Sequence, residues 1–242
     1  MESTTSAGSV RSVGTCGSRF TRDDPGRSQK NELKPWLKEQ WCIPPKADAA
    51  FVCNMEDVLD VYKRPYDARR PLICMDEMPK QLLSDTRDPL PVCSGKPARE
   101  DYEYQREGTA DVFMLFEPLV GKRQIEITDQ RRRIEWAEVM RKVSDELHPE
   151  AEKIVVVLDN LNTHTLAAFY LAFEPGEARR LAQRFELHFT PKHGSWLNMA
   201  EIELSALVRQ CLDCRIPNKE KMIEEVKAWQ DQRNSEVVKV HW

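Results

Sequence analysis

Little in this chain ties it to a membrane, an oxidising compartment or a uniformly nucleic-acid-binding surface. No apolar run approaches the roughly 20 residues that a membrane-spanning helix needs. Residues 1–28 hold no apolar core of the kind that directs secretion. A disulfide rhythm is missing too. Seven cysteines, at 16, 42, 53, 74, 93, 211 and 214, are scattered without a recurring spacing, as expected of reduced thiols in the cytoplasm. The formal net charge is −4, so any contact with DNA must come from local patches. No internal repeat at a solenoid period is present. What remains is a globular composition, 40% hydrophobic and 31% charged, with 242 residues to build one good-sized domain and a smaller attachment.

The chain is organised around Lys153-Ile-Val-Val-Val-Leu-Asp159-Asn-Leu-Asn-Thr-His164. An unbroken β-branched run predicts a strand buried on both faces, the central strand of a layered α/β domain. Asp159, where that run ends, falls at the strand's C-terminal edge, where open α/β sheets place their ligand sites. Pro71-Leu-Ile-Cys-Met-Asp76-Glu77 repeats the grammar of a short apolar run ending in an acid.

Residues 1–30 are rich in Ser, Thr, Gly and Arg and are expected to be a disordered tail. Residues 31–69 read as a helical linker, with helical spacing in Phe51, Val52, Met55, Val58, Leu59 and Tyr62. The main domain spans 70–242. In it, 79–101 reads as a long loop, and 101–106, 110–118 and 123–128 as strands of an antiparallel meander around Gly108 and Gly121. Helical spacing covers 131–147, with Asp129 as its expected cap, then 165–173, 176–184, 195–211 and 218–234. Residues 185–190 form a further short strand.

This order predicts an α/β fold, an RNase H-like mixed sheet with helices on both faces, preceded by a short helical segment. In such a fold the first and fourth strands are neighbours. Asp76 and Asp159 then end adjacent strands, and a third acid is required from a helix packed across that edge. Glu201, in His193-Gly-Ser-Trp-Leu-Asn198-Met-Ala-Glu201, is the candidate. Glu203 is its rival, about 200° away on a helix, and Glu77 faces the opposite side of its strand from Asp76.

Three pieces carry a family resemblance: Cys74-Met-Asp76-Glu, Leu158-Asp159-Asn-Leu-Asn-Thr-His164 and Thr190-Pro-Lys-His193-Gly-Ser-Trp196-Leu-Asn198-Met-Ala-Glu201. With them the chain resembles the DDE transposases of the mariner-type superfamily, in their bacterial insertion-sequence branch. The resemblance implies metal-dependent DNA strand cleavage and strand transfer by two Mg²⁺ ions, for which Mn²⁺ can substitute. Asp76 would bridge the ions, and Asp159 and Glu201 would each help to hold one. It also implies DNA partners (transposon ends and target), a homodimer in a synaptic complex, no membrane association and a cytoplasmic, nucleoid-associated location. The members' helix-turn-helix region has no counterpart here beyond residues 31–41, so the chain reads as a copy truncated at its N-terminus.

Around the acids, His164, His193, Lys192 and Asn198 are the supporting or phosphate-contacting candidates. The alternative for either histidine is to cap or pack its own loop. Arg131-Arg132-Arg133 with Lys122 and Arg123 is the densest basic cluster, read as a DNA-backbone patch or, more commonly for such runs, a solvated helix start. Trp196 reads as core. Cys211 and Cys214 have zinc-like spacing without a second ligand pair and are expected on a helix face. Two other functions compete with strand transfer: a non-transposing remnant that binds DNA or a partner transposase, and an aspartyl phosphohydrolase. The last lacks the second aspartate two residues after the first that such enzymes use.

Overall fold

The computed structural model describes residues 49–161 and 163–240. The expected tail, the first part of the linker and His241-Trp242 lie outside the described residues. Five strands form one sheet in the order β3-β2-β1-β4-β5: β1 Leu72–Asp85, β2 Tyr104–Glu117, β3 Lys122–Thr128, β4 Ile154–Leu158 and β5 Phe185–Phe189. The β1–β2 and β2–β3 pairs are antiparallel, and β1–β4 and β4–β5 are parallel. This is the expected mixed sheet, with its first and fourth strands side by side.

Every residue of β4 is buried, and the strand's alternation feeds two cores. Val155 and Val157 join Cys74, Met114, Leu204 and Trp229 on one side. Ile154, Val156 and Leu158 join Met75, Phe113, Trp136 and Phe169 on the other. Helices α5 (Met199–Leu207) and α6 (Lys219–Ser235) cover the first core; α2 (Arg133–Lys142), α3 (Ala167–Ala172) and α4 (Pro175–Arg184) cover the second. Truncating a fully buried side chain such as Leu158 to alanine costs about 2–5 kcal/mol, so the strand carrying Asp159 is firmly seated. α1 (Ala49–Tyr62) contributes Val58 and Val61 to the first core.

Two expectations need correction. Residues 79–85 are not loop but the second half of β1, and the two strands expected at 101–106 and 110–118 are one strand, β2. Pro79 is tolerated because β1 pairs with β4 only as far as Cys74, so at Pro79 no neighbouring strand on that edge needs an N–H. Gly108, at φ 114°, sits beside the register shift between Leu82 and Leu83 and lets β2 run on through it. On the sheet's other side, β3 is an edge strand sealed by side chains of α6. Asn234 exchanges two 2.8 Å hydrogen bonds with the Arg123 backbone, and Gln230 accepts from the Ile125 amide at 2.7 Å.

Candidate active site

Asp76 lies within β1, not at its end, two residues past the last rung shared with β4. There the pairs run Leu72 with Val155, Ile73 with Val156 and Cys74 with Val157. Carrying this register two residues further sets Asp76 level with Asp159, on the side of the sheet that Cys74 and Val157 share with α5. Asp76 Oδ1 accepts a 2.8 Å hydrogen bond from the Glu77 amide. Burial is the largest effect on its carboxyl, and the charges of Asp159, Glu77 and Glu201 add to it. Together they overcome that hydrogen bond and raise the pKa to about 7.

Glu201 is brought to the same edge by Asn198. This residue caps α5, its Oδ1 accepting from the Ala200 amide at 3.1 Å, while its Nδ2 donates to the Met75 carbonyl at 2.8 Å. That carbonyl precedes Asp76, so one buried amide ties the helix start to the first acid. The Tyr62 hydroxyl, from α1, adds a 2.7 Å bond to the Leu197 carbonyl. Glu201 is half-buried in the first turn of α5. Glu203 points elsewhere. It is fully buried, with Arg123 at 2.7 and 2.9 Å and Arg233 at 2.8 and 3.1 Å. Burial alone would raise its pKa, but the two guanidinium groups win and lower it.

His164 does not face solvent. Its side chain is 1% exposed and stacks on Trp136, the ring centroids 5.8 Å apart. Nδ1 lies 2.6 Å from Asp159 Oδ1, and Nε2 lies 3.1 Å from Glu77 Oε2. Burial lowers its pKa, yet the two carboxylates outweigh this and raise it to about 9. A DNA phosphate cannot reach such a ring. Glu77, set aside on sequence as facing away from Asp76, does face away, but it connects to Asp159 through this histidine. Its partner signal was the buried face it shares with Met75 and Phe113.

Lys192 and His193 are exposed in the turn before α5, closed by a 2.8 Å bond from the Gly194 amide to the Pro191 carbonyl. His193 has φ 64°, and a Cβ at Gly194 would lie 2.5 Å from Pro191 Cγ, so the turn demands glycine there. Other expectations change. Arg123 is buried against Glu203 and belongs to no surface basic cluster. Asp129 does not cap α2 but pairs with Lys219 at 2.6 Å; the Glu135 carboxylate accepts from the Arg132 amide instead. Cys214 lies past the helical turn that carries Cys211. No described helix is long and apolar enough to cross a membrane.

Among the described residues, the group whose possible ligand atoms all lie within 4.8 Å of one another is Glu77, Asp159 and His164. Asp76, Asp159 and Glu201 share one edge without closing that far. Two ions about 3.5–4 Å apart, each about 2.1 Å from its ligands, need a wider set of donors than one ion does. The donors on this edge are carboxylate oxygens with no cationic side chain against Asp76 or Glu201 among the described residues, a chemistry that suits a hard divalent cation.

A family model for the DDE superfamily endonucleases matches residues 71–223. No curated protein matches the chain. Among solved structures it is similar to the Mos1 mariner paired-end complex with Mn, at 16% identity and a TM-score of 0.55, covering 83% of this chain and 60% of that one. It is likewise similar to the Mos1 transposase paired-end complex with the left transposon end (16%, TM-score 0.53, 81% and 58% covered). The Mos1 strand transfer complex gives 16%, 0.52, and 82% and 58%. At this identity the likeness concerns the fold. The chain spans about three fifths of the length of the Mos1 chains.

Proposed function

The chain belongs to the DDE superfamily of endonucleases, and on that premise we propose that it is the catalytic domain of a mariner-type transposase, cutting DNA strands and joining them to a target. One observation carries this: two acids, each two residues past the last rung that the parallel strands β1 and β4 share, with a third on a helix capped against the first strand. Asp76, Asp159 and Glu201 would hold the divalent ions, Mg²⁺ or Mn²⁺. When bound, a pair of such ions supplies a deprotonated nucleophile at neutral pH and neutralises the leaving oxygen of an in-line displacement.

The protein's own part is geometric. The buried first four residues of β1 lead into Asp76, the fully buried β4 leads into Asp159, and Asn198 fixes the start of α5 that carries Glu201. Asp76, whose proton is held on by burial and acid crowding, would give it up on holding a divalent cation, whose charge offsets both. Lys192 and His193, exposed beside α5, contact phosphates of the DNA. A second copy synapses the other transposon end.

A supercoiled plasmid carrying one transposon end, incubated with Mg²⁺ or Mn²⁺, tests the proposal. The native chain is expected to nick it and Asp159→Ala is not. Equal nicking by both, or cleavage surviving chelation by EDTA, overturns the assignment.

A further inference from the structure

Consecutive residues of β1 face opposite sides of the sheet, and both are acids. Asp76 faces α5. Glu77 is buried with the second core, its side chain 2% exposed. A carboxylate there is costly unless paired, and His164 is what pairs it. The same ring turns its other nitrogen on Asp159. Glu77 Oε2 and Asp159 Oδ1 are themselves buried, and neither has a well-aligned hydrogen bond among the described residues; the close approach of the His164 ring is what each of them has.

These three side chains could in principle hold a cation. The geometry favours a different use. A metal needs one nitrogen and both carboxylates aimed at one point, whereas here each nitrogen lies close to a different carboxylate, at 2.6 and 3.1 Å. The ring is a bridge between them. Asp159 needs such a bridge because it stands past the end of β4, where no strand pairing holds it, and its side chain is 29% exposed.

We infer that Glu77 and His164 form a positioning couple that grips one oxygen of Asp159 and leaves the other turned toward Asp76. The inference rests on the reading of Asp159 as a metal ligand. Neither residue of the couple touches DNA, since both are buried; they act through Asp159. Adjacent residues of one strand thereby set both aspartates, Asp76 directly and Asp159 through an imidazole. Partners that orient metal ligands in this way change metal affinity by about 10–100-fold when removed.

Mn²⁺ binding to the full chain without DNA, read from the electron paramagnetic resonance of the free ion, separates positioning from packing. His164→Asn keeps an amide near the Nδ1 position facing Asp159; His164→Gln keeps one near Nε2, facing Glu77, and fills the space better. Positioning predicts His164→Asn within about 3-fold of the native affinity and His164→Gln about 10-fold weaker. Mere packing predicts the reverse order, and that result overturns the inference.

Glu77→Met is the second variant, because an apolar side chain of similar volume suits that core whatever becomes of His164. It is expected to weaken Mn²⁺ by about 5-fold without lowering Tm; an affinity within about 2-fold of native also overturns the inference. Asp159→Asn is measured in parallel. If it leaves Mn²⁺ binding intact, Asp159 is no ligand, and the proposed function fails independently of the couple.

Discussion

Helix α5 carries two glutamates, Glu201 and Glu203, with one residue between them and opposite circumstances. Glu203 is sealed between Arg123 and Arg233 and held ionised by them. Glu201, in the first turn of the same helix, faces an edge where Asp76 and Asp159 already crowd negative charge. The fold supplies two guanidinium groups for one acid and none for the other, and on the proposed function the second acid is the one that would hold a cation. Local charge is satisfied where the helix is anchored and left unsatisfied at the edge proposed to carry the chemistry.

The largest expected effects test this division directly. Glu201→Gln should lower metal-dependent plasmid nicking by about 1,000-fold, equivalent to about 4 kcal/mol of barrier, while chemical denaturation shows stability unchanged within about 0.5 kcal/mol. Glu203→Ala should do the opposite. It leaves Arg123 buried without its carboxylate, a loss of about 3–5 kcal/mol in unfolding free energy. Were Glu203→Ala to remain as stable as the native chain, the anchoring role of the cluster would be wrong. If Glu201→Gln unfolded it, Glu201 would belong with Glu203.

A smaller effect separates the two sites by pH. Asp76 is raised in the folded state to about 7 from 3.8, first by burial and then by its acidic neighbours. Its neutral form is therefore favoured by folding. The stability it contributes is fully present below about pH 4 and is lost as the pH rises towards 7. In EDTA, Tm measured from pH 4 to 8 should fall more steeply for the native chain than for Asp76→Asn, which cannot ionise. Parallel curves would mean that Asp76 is better solvated than its surroundings allow. Glu203, lowered by its arginines, moves the other way and loses its stabilising effect in acid.

The sequence made the frame legible where pattern and burial coincide. Five apolar residues in a row announced β4, and the ends of the two runs announced Asp76 and Asp159. The second half of β1 escaped notice because Pro79 and the polar residues after it carry no strand period; β2 is the one strand that segment pairs with. Arg123 was misread within a basic run, although it shares its face of β3 with Ile125 and Ile127, and period two pointed it inward. Its partner Glu203 is distant in sequence, so no local pattern pairs them. His164 was noticed and its setting was not. A histidine after a strand-ending aspartate reads as available for DNA until Trp136 and Glu77, from two other elements, close around it.

A third acid, neutralised like Glu203 but nearer solvent, gives the mildest test. Glu186 of β5 is 28% exposed and ion-paired with Arg70 and, at 2.7 Å, with Arg64. His188 lies 3.0 Å from it and 2.7 Å from Asp57 of α1. Burial pushes its pKa up, but the bonds from Arg64 and His188 and the charges of Arg70 and Arg64 overcome this and hold it at about 2. The folded pKa lies below the unfolded one, so the contribution is present above pH 4.5 and lost as the pH falls towards 2. Partial exposure limits it to about 1 kcal/mol. Acid titration of the unfolding free energy should therefore be shallower for Glu186→Gln than for the native chain below pH 4.5, with nicking at neutral pH unchanged. Identical acid slopes would show that these arginines join the α1–β1 connection to β5 without drawing on the charge of Glu186. Guanidinium pairing would then account for stability at Glu203 because that site is buried, and for little at the surface.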